Sequence, residues 1–450
     1  MRVLIQGSGG REYALALHAS EHGHYVTVSP GNPAIKIMGI GDTVPYTDPE
    51  GFAKYFEENG FELGIAGPED PLKDGLGDIM HDRQLPFFGP KRAHAKAEWS
   101  KGYLAELLKG TGLMPKSGYF KTSIAAMKYL NANWHTDLNK LVIKSNELRA
   151  GKGVILPNSL TEATDAVDGI MAPPPHGLGD DCLIQDRLYG IELSSMVIAG
   201  QGDCIQLPSS IDNKPVGMNN FGLDPKLNTG GMGAESPHPH ISEKEFEKLL
   251  ETHTVPLVDA VENDAAVGGV IGLVYNGMIK QEKNGPTWKS KAIKGKKVKI
   301  LESNLGRFGD PEAQPVLMRV RSDLAKYMLA ATHGQLDSMP PLEIDPRHAV
   351  YVVMATPGYP TSEYKKQTGR SLRGIERVKA HPDAEVFFAG VGERDGKLIN
   401  TGGRVFGVGM LGETREEAWE KAYDLIGYGD GVGIGSGKED TQFRWDLHET

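Results

Sequence analysis

Lys144-Ser-Asn-Glu-Leu-Arg-Ala-Gly-Lys-Gly-Val154 lies between two apolar runs, Leu141-Val-Ile143 and Val154-Ile-Leu156, and the pattern reads as strand, glycine-rich turn, strand. Gly151 and Gly153 carry no Cβ, so backbone N–H groups can close on an anion, while Lys144 and Lys152 add two positive charges. Polyphosphate suits such a turn. A P-loop differs, because it enters a helix through Lys-Ser or Lys-Thr, whereas Gly and Val follow Lys152. The same residues also make an ordinary basic hairpin, so the rest of the chain has to decide.

At 450 residues the chain is too long for one core and predicts roughly three domains. Hydrophobic residues at 39% with 24% charged describe a soluble globular composition. The formal charge of −10 gives no general basic field, which argues against a nucleic-acid partner and requires local basic sites for any anionic ligand. Two cysteines, Cys182 and Cys204, support neither a disulfide framework nor a cysteine zinc site. With no run of about 18 apolar residues and no leader-like start, the expectation is a cytoplasmic protein without a membrane partner.

Val3-Leu-Ile5, the turn Gly7-Ser-Gly-Gly10 and a helical Arg11 to His18 form an opening βα unit. Further units follow at Tyr25 to Val28, Phe52 to Glu58, Leu63 to Ala66, Leu76 to His81 and Pro86 to Gly89, which predicts a doubly wound parallel sheet. The start resembles a dinucleotide fingerprint and then departs from it, with Glu12 at the third glycine position and Ser29-Pro30 where a ribose-binding acid would stand. A helix start behind glycines still suits a single phosphate, so a phosphorylated substrate is the better reading.

Ala93 to Leu108 reads as one helix containing Lys101, and Lys116 to Leu156 as a small α/β unit ending in the glycine hairpin. Cys182 to Leu188 reads as a strand with Glu192 to Ile198 as its antiparallel neighbour. Pro208 to Pro239 shows little pattern but many polar and glycine residues, as functional loops do. Ser242 to Asn263 reads as a helix with a Ser242–Glu245 capping box. Strands are expected at Val270 to Tyr275 and Lys299 to Glu302, separated by a Lys-rich insertion, Lys280 to Lys297. From about Ala331 a β-rich lobe is expected, with strands at Ala349 to Ala355, Val386 to Gly390 and Arg404 to Met410, a helix from Thr414 to Leu425, and a glycine-rich tail partly disordered at its end.

Glu302 and Asn304 are two apart on a strand end and face one side. A carboxylate and an amide oxygen beside a phosphate-binding turn make a hard oxygen site for Mg²⁺ held jointly with phosphates, although each residue alone reads as surface.

Together, Gly7-Ser-Gly-Gly-Arg-Glu12, Gly67-Pro-Glu69, Glu98-Trp-Ser-Lys101, Ala150-Gly-Lys-Gly-Val154, Asn228-Thr-Gly-Gly-Met-Gly-Ala234, Arg307-Phe-Gly-Asp-Pro-Glu312 and Gly402-Gly-Arg-Val405 resemble the phosphoribosylamine–glycine ligases, ATP-grasp enzymes of purine synthesis. The matches run in family order over nearly the whole chain. The resemblance implies an α/β protein with an N-terminal doubly wound domain (1–100) for the phosphoribosyl group, a two-lobed ATP-grasp core (101–330, smaller lobe about 116–183) and a C-terminal β-rich lobe (331–450). It implies that Lys101, Lys144, Gly151, Lys152 and Gly153 meet ATP, with Gln185, Asp186 and Leu188 edging the adenine and Glu192 on the ribose. Glu302 and Asn304 match metal ligands for Mg²⁺, or Mn²⁺ in its place. Gly9, Gly10, Arg11, Glu12 and Glu69 would hold phosphoribosylamine. Asp212, Lys214, Asn228, Thr229, Gly230, Gly231 and Arg307 would hold the amine and glycine substrates, with Arg307, Lys152, Asp212 and Lys214 at the chemistry. A monomer or homodimer is expected.

The chain also departs from the family pattern. Lys-Ala-Asp-Gly-Leu-Ala-Ala-Gly-Lys-Gly becomes Lys144-Ser-Asn-Glu-Leu-Arg-Ala-Gly-Lys-Gly153, and Gln-Asp-His-Lys-Arg becomes Ser210-Ile-Asp-Asn-Lys-Pro215. Paired acids before the adenine edge are Gln185-Asp186, and the metal segment has one extra residue before Arg307. ATP use survives these changes, while a ligase for another amino acid or amine stays open. A silent nucleotide-binding homologue is disfavoured, because Lys144, Lys152, Glu192, Glu302 and Asn304 are all kept.

Overall fold

The computed structural model describes residues 1–134, 141–147, 153–218, 221–265, 268–281, 297–427 and 431–449. The opening βα units form a parallel sheet of β1 (Arg2–Gly7), β2 (Tyr25–Pro30), β3 (Asp42–Thr43), β4 (Leu63–Ile65) and β5 (Phe87–Phe88) in the order β3-β2-β1-β4-β5. The order reverses between β1 and β4, so a crevice opens where Gly7 and Gly67 follow the two strands, the usual ligand position in such sheets. Gly7 has φ +122°, and a Cβ there would sit 2.6 Å from Glu12 Cγ, so only glycine lets the helix Gly10–Glu21 start this close to the strand.

A second sheet joins β6 (Ser117–Phe120), β7 (Leu141–Ser145), β8 (Val154–Ile155) and β9 (Cys182–Asp186) in the order β6-β9-β7-β8. The pairing of β7 with β8 is antiparallel, as the hairpin reading expects, but its tip at 148–152 lies outside the described residues. This small lobe packs its own apolar cluster around Leu130, Ile143, Val167 and Ile184. The third sheet orders β11 (Asp203–Gln206), β10 (Gly190–Gly200), β14 (Ile271–Gln281) and β15 (Val298–Leu305) antiparallel. The Glu192 strand therefore does not pair with the Cys182 strand. Its segment Leu193 to Ala199, apolar apart from Ser194 and Ser195, is buried between other partners in a different sheet.

Two short strands from the patternless segment, β12 (Ile211–Asp212) and β13 (Gly233–Ser236), extend the C-terminal sheet of β16 (His348–Ala355), β18 (Ala384–Phe388) and β21 (Arg404–Gly412). Small ribbons pair β17 (Leu372–Arg373) with β22 (Gly433–Ile434) and β19 (Val391–Arg394) with β20 (Lys397–Asn400). One apolar core runs through Ile5 and Tyr13, Met196 and Tyr275, and Val350, Phe388 and Trp419, so the parallel sheet, the third sheet and the C-terminal sheet are packed as neighbours.

Three further expectations change. Ala93 to Leu108 is two helices, Arg92–Trp99 and Lys101–Leu107, broken at Ser100, whose hydroxyl caps the second by accepting from Tyr103 N. Ser242 makes no side-chain cap, and its helix passes through a π-turn at Leu250–Thr254. The tail is packed rather than loose where it is described: Phe443 and Leu447 are buried, and Gln442 is fully enclosed. The insertion lies outside the described residues between 282 and 296. Among the described residues no helix is long and apolar enough to cross a membrane.

Candidate active site

Strand β15 carries the two proposed oxygen ligands, and local backbone aims them. A register shift opposite Gly277 and Met278 brings Glu302 across Gly277, where a Cβ would stand 2.9 Å from Glu302 Cγ. The chain leaves the strand through Gly306 (φ +132°), packed so tightly on Leu72 and Pro90 that no larger residue fits. Glu302 Oε1 lies 3.2 Å from Lys214 Nζ, and Asp212 Oδ1 lies 4.0 Å from the same ammonium. The Lys214 charge, working against burial, draws the Glu302 pKa down to about 2, so this carboxylate is ionised. Asp212 is pushed the other way by burial, and Lys214 is held well above the usual lysine range by Asp212 and then Glu302. Asn304, oriented by its hydrogen-bond partners, accepts from Arg307 Nη2 at 3.0 Å.

Facing this strand is the root of the hairpin. Lys144 is buried at 8% exposure with Nζ 3.4 Å from Leu301 O, and its pKa falls to about 8, lowered first by burial and then by Lys101 and Lys214, with Glu302 and Glu192 pulling the other way. Lys101 opens its helix and donates from Nζ to Glu147 O at 2.9 Å. Of the remaining hairpin residues, Gly153 O accepts from Ser145 N at 2.8 Å, while Gly151 and Lys152 lie outside the described residues. Gln185 is buried in β9, and its Nε2 has no hydrogen-bond partner among the described residues. Asp186 N donates to Lys116 O, and Leu188 is half-buried in the link to β10. The Glu192 side chain is exposed, and its carbonyl accepts from His238 Nε2 at 2.8 Å.

Arg307 ties these elements to the parallel sheet. Its Nε donates to Glu98 Oε1 at 2.7 Å and lies 3.0 Å from Glu69 Oε2, and Nη1 donates to Phe308 O at 3.3 Å. Glu98 is completely enclosed and burial raises its pKa to about 7, against the pull of Arg307. Burial also pushes Glu69 up, but Arg307 and Arg11 outweigh it and the net shift is down. Arg11 donates from Nη1 to Phe308 O at 3.0 Å and from Nε to Glu12, while Glu12 also accepts from Gly9 N at 2.6 Å. The helix start at Gly9 and Gly10 is thus capped by the chain's own carboxylate. The loop before β13 closes the far side: Thr229 Oγ1 donates to Lys214 O, Gly231 N to Thr229 Oγ1 and Gly230 N to Tyr359 OH, and Asn228 bridges to Pro215.

The structure therefore brings Lys101, Lys144, Asp212, Lys214, Glu302, Asn304 and Arg307 together, with the Gly9–Glu12 turn and Glu69 behind Arg307. Several partners escaped the sequence reading as individual residues. Glu312 is buried, with Oε1 accepting from Tyr275 OH at 2.8 Å and Ser194 Oγ at 3.0 Å, and its pKa is raised to about 7 by burial and then Asp212. Arg404 donates to Gly230 O and to Asp310. Glu98, Asp310, Glu312 and Arg404 all stood inside quoted motifs, but Tyr275, Ser194 and Tyr359 carried no signal.

Among the described residues no group of three or more His, Cys, Asp or Glu could cage a metal. An ionised carboxylate and an amide on one strand face still fit a small hard cation that takes its other ligands from phosphate and water, as Mg²⁺ does.

Family models match most of the chain: Phosphoribosylglycinamide synthetase N domain over 1–98, ATP-grasp (A) domain over 99–313 and C domain over 349–446. A phosphoribosylamine–glycine ligase of Rhodopirellula baltica is 37% identical over 431 residues, covering 94% of this chain and 93% of the relative. The crystal structure of a phosphoribosylamine–glycine ligase from Thermotoga maritima superposes with a TM-score of 0.78 at 28% identity, over 99% of this chain and all of the other. A Campylobacter jejuni biotin carboxylase shares the fold at TM-score 0.67 and 14% identity, over 99% of this chain and 94% of its own.

Proposed function

The chain belongs to the phosphoribosylglycinamide synthetase family, and on that premise we propose how its residues carry out the reaction. It is an ATP-dependent carbon–nitrogen ligase that joins glycine to 5-phosphoribosylamine in purine biosynthesis. We assign residues 1–100 to the phosphoribosyl substrate, 101–330 to ATP and 331–450 to completion of the site.

Lys101 and Lys144, with Gly151, Lys152 and Gly153, hold the ATP phosphates; Gln185, Asp186 and Leu188 edge the adenine and Glu192 takes the ribose hydroxyls. Glu302 and Asn304 would hold Mg²⁺, which supplies charge neutralisation on the phosphates when bound. A glycine carboxylate oxygen attacks the γ-phosphorus, the bridging P–O bond breaks and ADP leaves. Arg307 and Lys214 orient the carboxylate and the lysines offset charge on the equatorial oxygens, so the protein acts by position and electrostatics. The amine nitrogen of phosphoribosylamine, held by Gly9, Gly10, Arg11, Glu12 and Glu69, then attacks the acyl carbon. The carbon–oxygen bond to phosphate breaks, and inorganic phosphate leaves as the nitrogen gives up a proton. Asp212 and the Asn228–Gly231 loop line this step. No side-chain nucleophile is needed.

The observation that supports these assignments best is geometric: Lys144 Nζ lies 3.4 Å from Leu301 O, next to Glu302, whose Oε1 lies 3.2 Å from Lys214 Nζ, and Lys101 Nζ reaches Glu147 O at 2.9 Å. A coupled ADP-release assay with phosphoribosylamine generated in situ tests the activity. Glycine-dependent release is expected, and release with another amino acid but not with glycine would redirect the substrate assignment.

A further inference from the structure

Three consecutive residues at the end of β7 are wired on both sides. Ser145 donates from Oγ to Asp180 Oδ2, and Glu147 N donates to the same carboxylate oxygen at 2.9 Å, which ties the hairpin root to its own lobe. Between them Asn146 points the other way. Its Oδ1 accepts from Gly102 N at 2.9 Å and from Ser100 Oγ at 3.2 Å, and its carbonyl accepts from Lys101 N at 3.3 Å and Lys101 Nζ at 3.4 Å. The helix Lys101–Leu107 already has a local cap in Ser100, so the Asn146 contact, 46 residues away in sequence, is a tertiary tie.

The segment it grips has a second anchor. Ser100 is an extended break (φ −121°, ψ 90°) between two short helices, and Glu98, two residues earlier, holds Arg307 Nε at 2.7 Å. Lys101 on one side of the break reaches Glu147 O, and Lys144 two residues before Asn146 reaches Leu301 O beside Glu302. A single short junction therefore spaces Lys101 and the hairpin-root Lys144 from the Arg307 guanidinium, two residues past the end of β15.

We propose that Asn146 is a positioning residue for the nucleotide, pinning the hairpin root to the Ser100 break so that Lys101 and Lys144 meet the same phosphates at a fixed distance from Arg307. This rests on the reading that those two lysines face ATP. An aspartate would keep both acceptor contacts of the side chain. Alanine would leave Gly102 N–H and Ser100 Oγ without their acceptor and free the root to shift, and small misplacement of phosphate-binding cations is costly.

The test measures ATP binding by calorimetry, with and without glycine, alongside the melting temperature, for the full-length wild type, Asn146→Ala, Asn146→Asp and Asn146→Ala/Ser100→Ala. About tenfold weaker ATP binding in Asn146→Ala, wild-type-like binding within about threefold in Asn146→Asp, and a double variant no worse than Asn146→Ala are expected, with melting temperatures close to wild type. Asn146→Ala that binds ATP like the wild type, or Asn146→Asp as weak as Asn146→Ala, overturns the proposal. A wild type that does not bind ATP overturns the underlying site assignment instead.

Discussion

Lys214 Nζ lies 3.2 Å from Glu302 Oε1, a contact that joins the loop after β12 to β15 and holds the carboxylate ionised to a pKa of about 2. Glu302→Ala leaves Asn304 as the one remaining residue of the proposed metal pair. Turnover is expected to fall by about a hundredfold or more at ordinary magnesium, the size seen when a fixed electrostatic element is lost. Initial rates of ADP release over a magnesium titration measure it. Near-normal activity in the variant would show that the metal is held elsewhere.

Burial brings the Lys144 pKa from the usual lysine value down to about 8. Its ammonium is therefore present at pH 7 and lost as the pH rises through 8, while the phosphates of ATP stay anionic. ATP affinity should weaken by about tenfold between pH 7 and 9, because only the charged form attracts the ligand. Lys144→Arg should flatten that profile whatever its absolute affinity. An equally steep profile in the arginine variant would assign the titration to another group.

Glu98 shows the opposite kind of shift. Its folded pKa, about 7, lies above the ordinary carboxyl value, so it contributes stability that is full below the unfolded pKa and is lost as the pH rises through 7. The wild type should therefore lose stability relative to Glu98→Gln between about pH 5 and 8, a change on the order of 2–3 kcal/mol. Denaturant unfolding of both proteins across that range reads the difference. Parallel curves would mean that Glu98 is ionised throughout and that Arg307 outweighs burial.

Tyr275 OH and Ser194 Oγ both donate to Glu312 Oε1 in a fully buried cluster beneath Asp212. Tyr275→Phe keeps the ring packing and removes one donor from a buried carboxyl, which should cost about 1–3 kcal/mol. Urea midpoints measure it, and a variant as stable as the wild type would show that Ser194 alone satisfies the group.

What the sequence made readable was local. The βα alternation from Val3 to Gly89 predicts a parallel sheet because apolar runs, turns and helical spacing each sit within a few residues, whereas the order β3-β2-β1-β4-β5 comes from the structure. Pairing across distance was not readable. Glu192 to Ile198 has the same apolar run whether its neighbour is Cys182 to Asp186 or Ile271 to Gln281, and only the separate core of the small lobe decides it. Ser100 looks like an ordinary helix residue until Asn146 is placed beside it. The carboxylates and tyrosine that support the site failed to stand out for a similar reason. Glu98 and Glu312 owe their shifted pKa values to burial, and Tyr275 reads as part of a buried strand.

The most direct measurement follows oxygen through the reaction. Glycine labelled with ¹⁸O in its carboxylate is turned over with ATP and phosphoribosylamine, and the inorganic phosphate is analysed by mass spectrometry. Transfer of one ¹⁸O to each phosphate is expected, because the glycine carboxylate attacks the γ-phosphoryl group and its oxygen leaves with the phosphate. Unlabelled phosphate released in step with ADP would contradict the glycyl phosphate route and the arrangement of Lys144, Lys214, Glu302 and Arg307 around it.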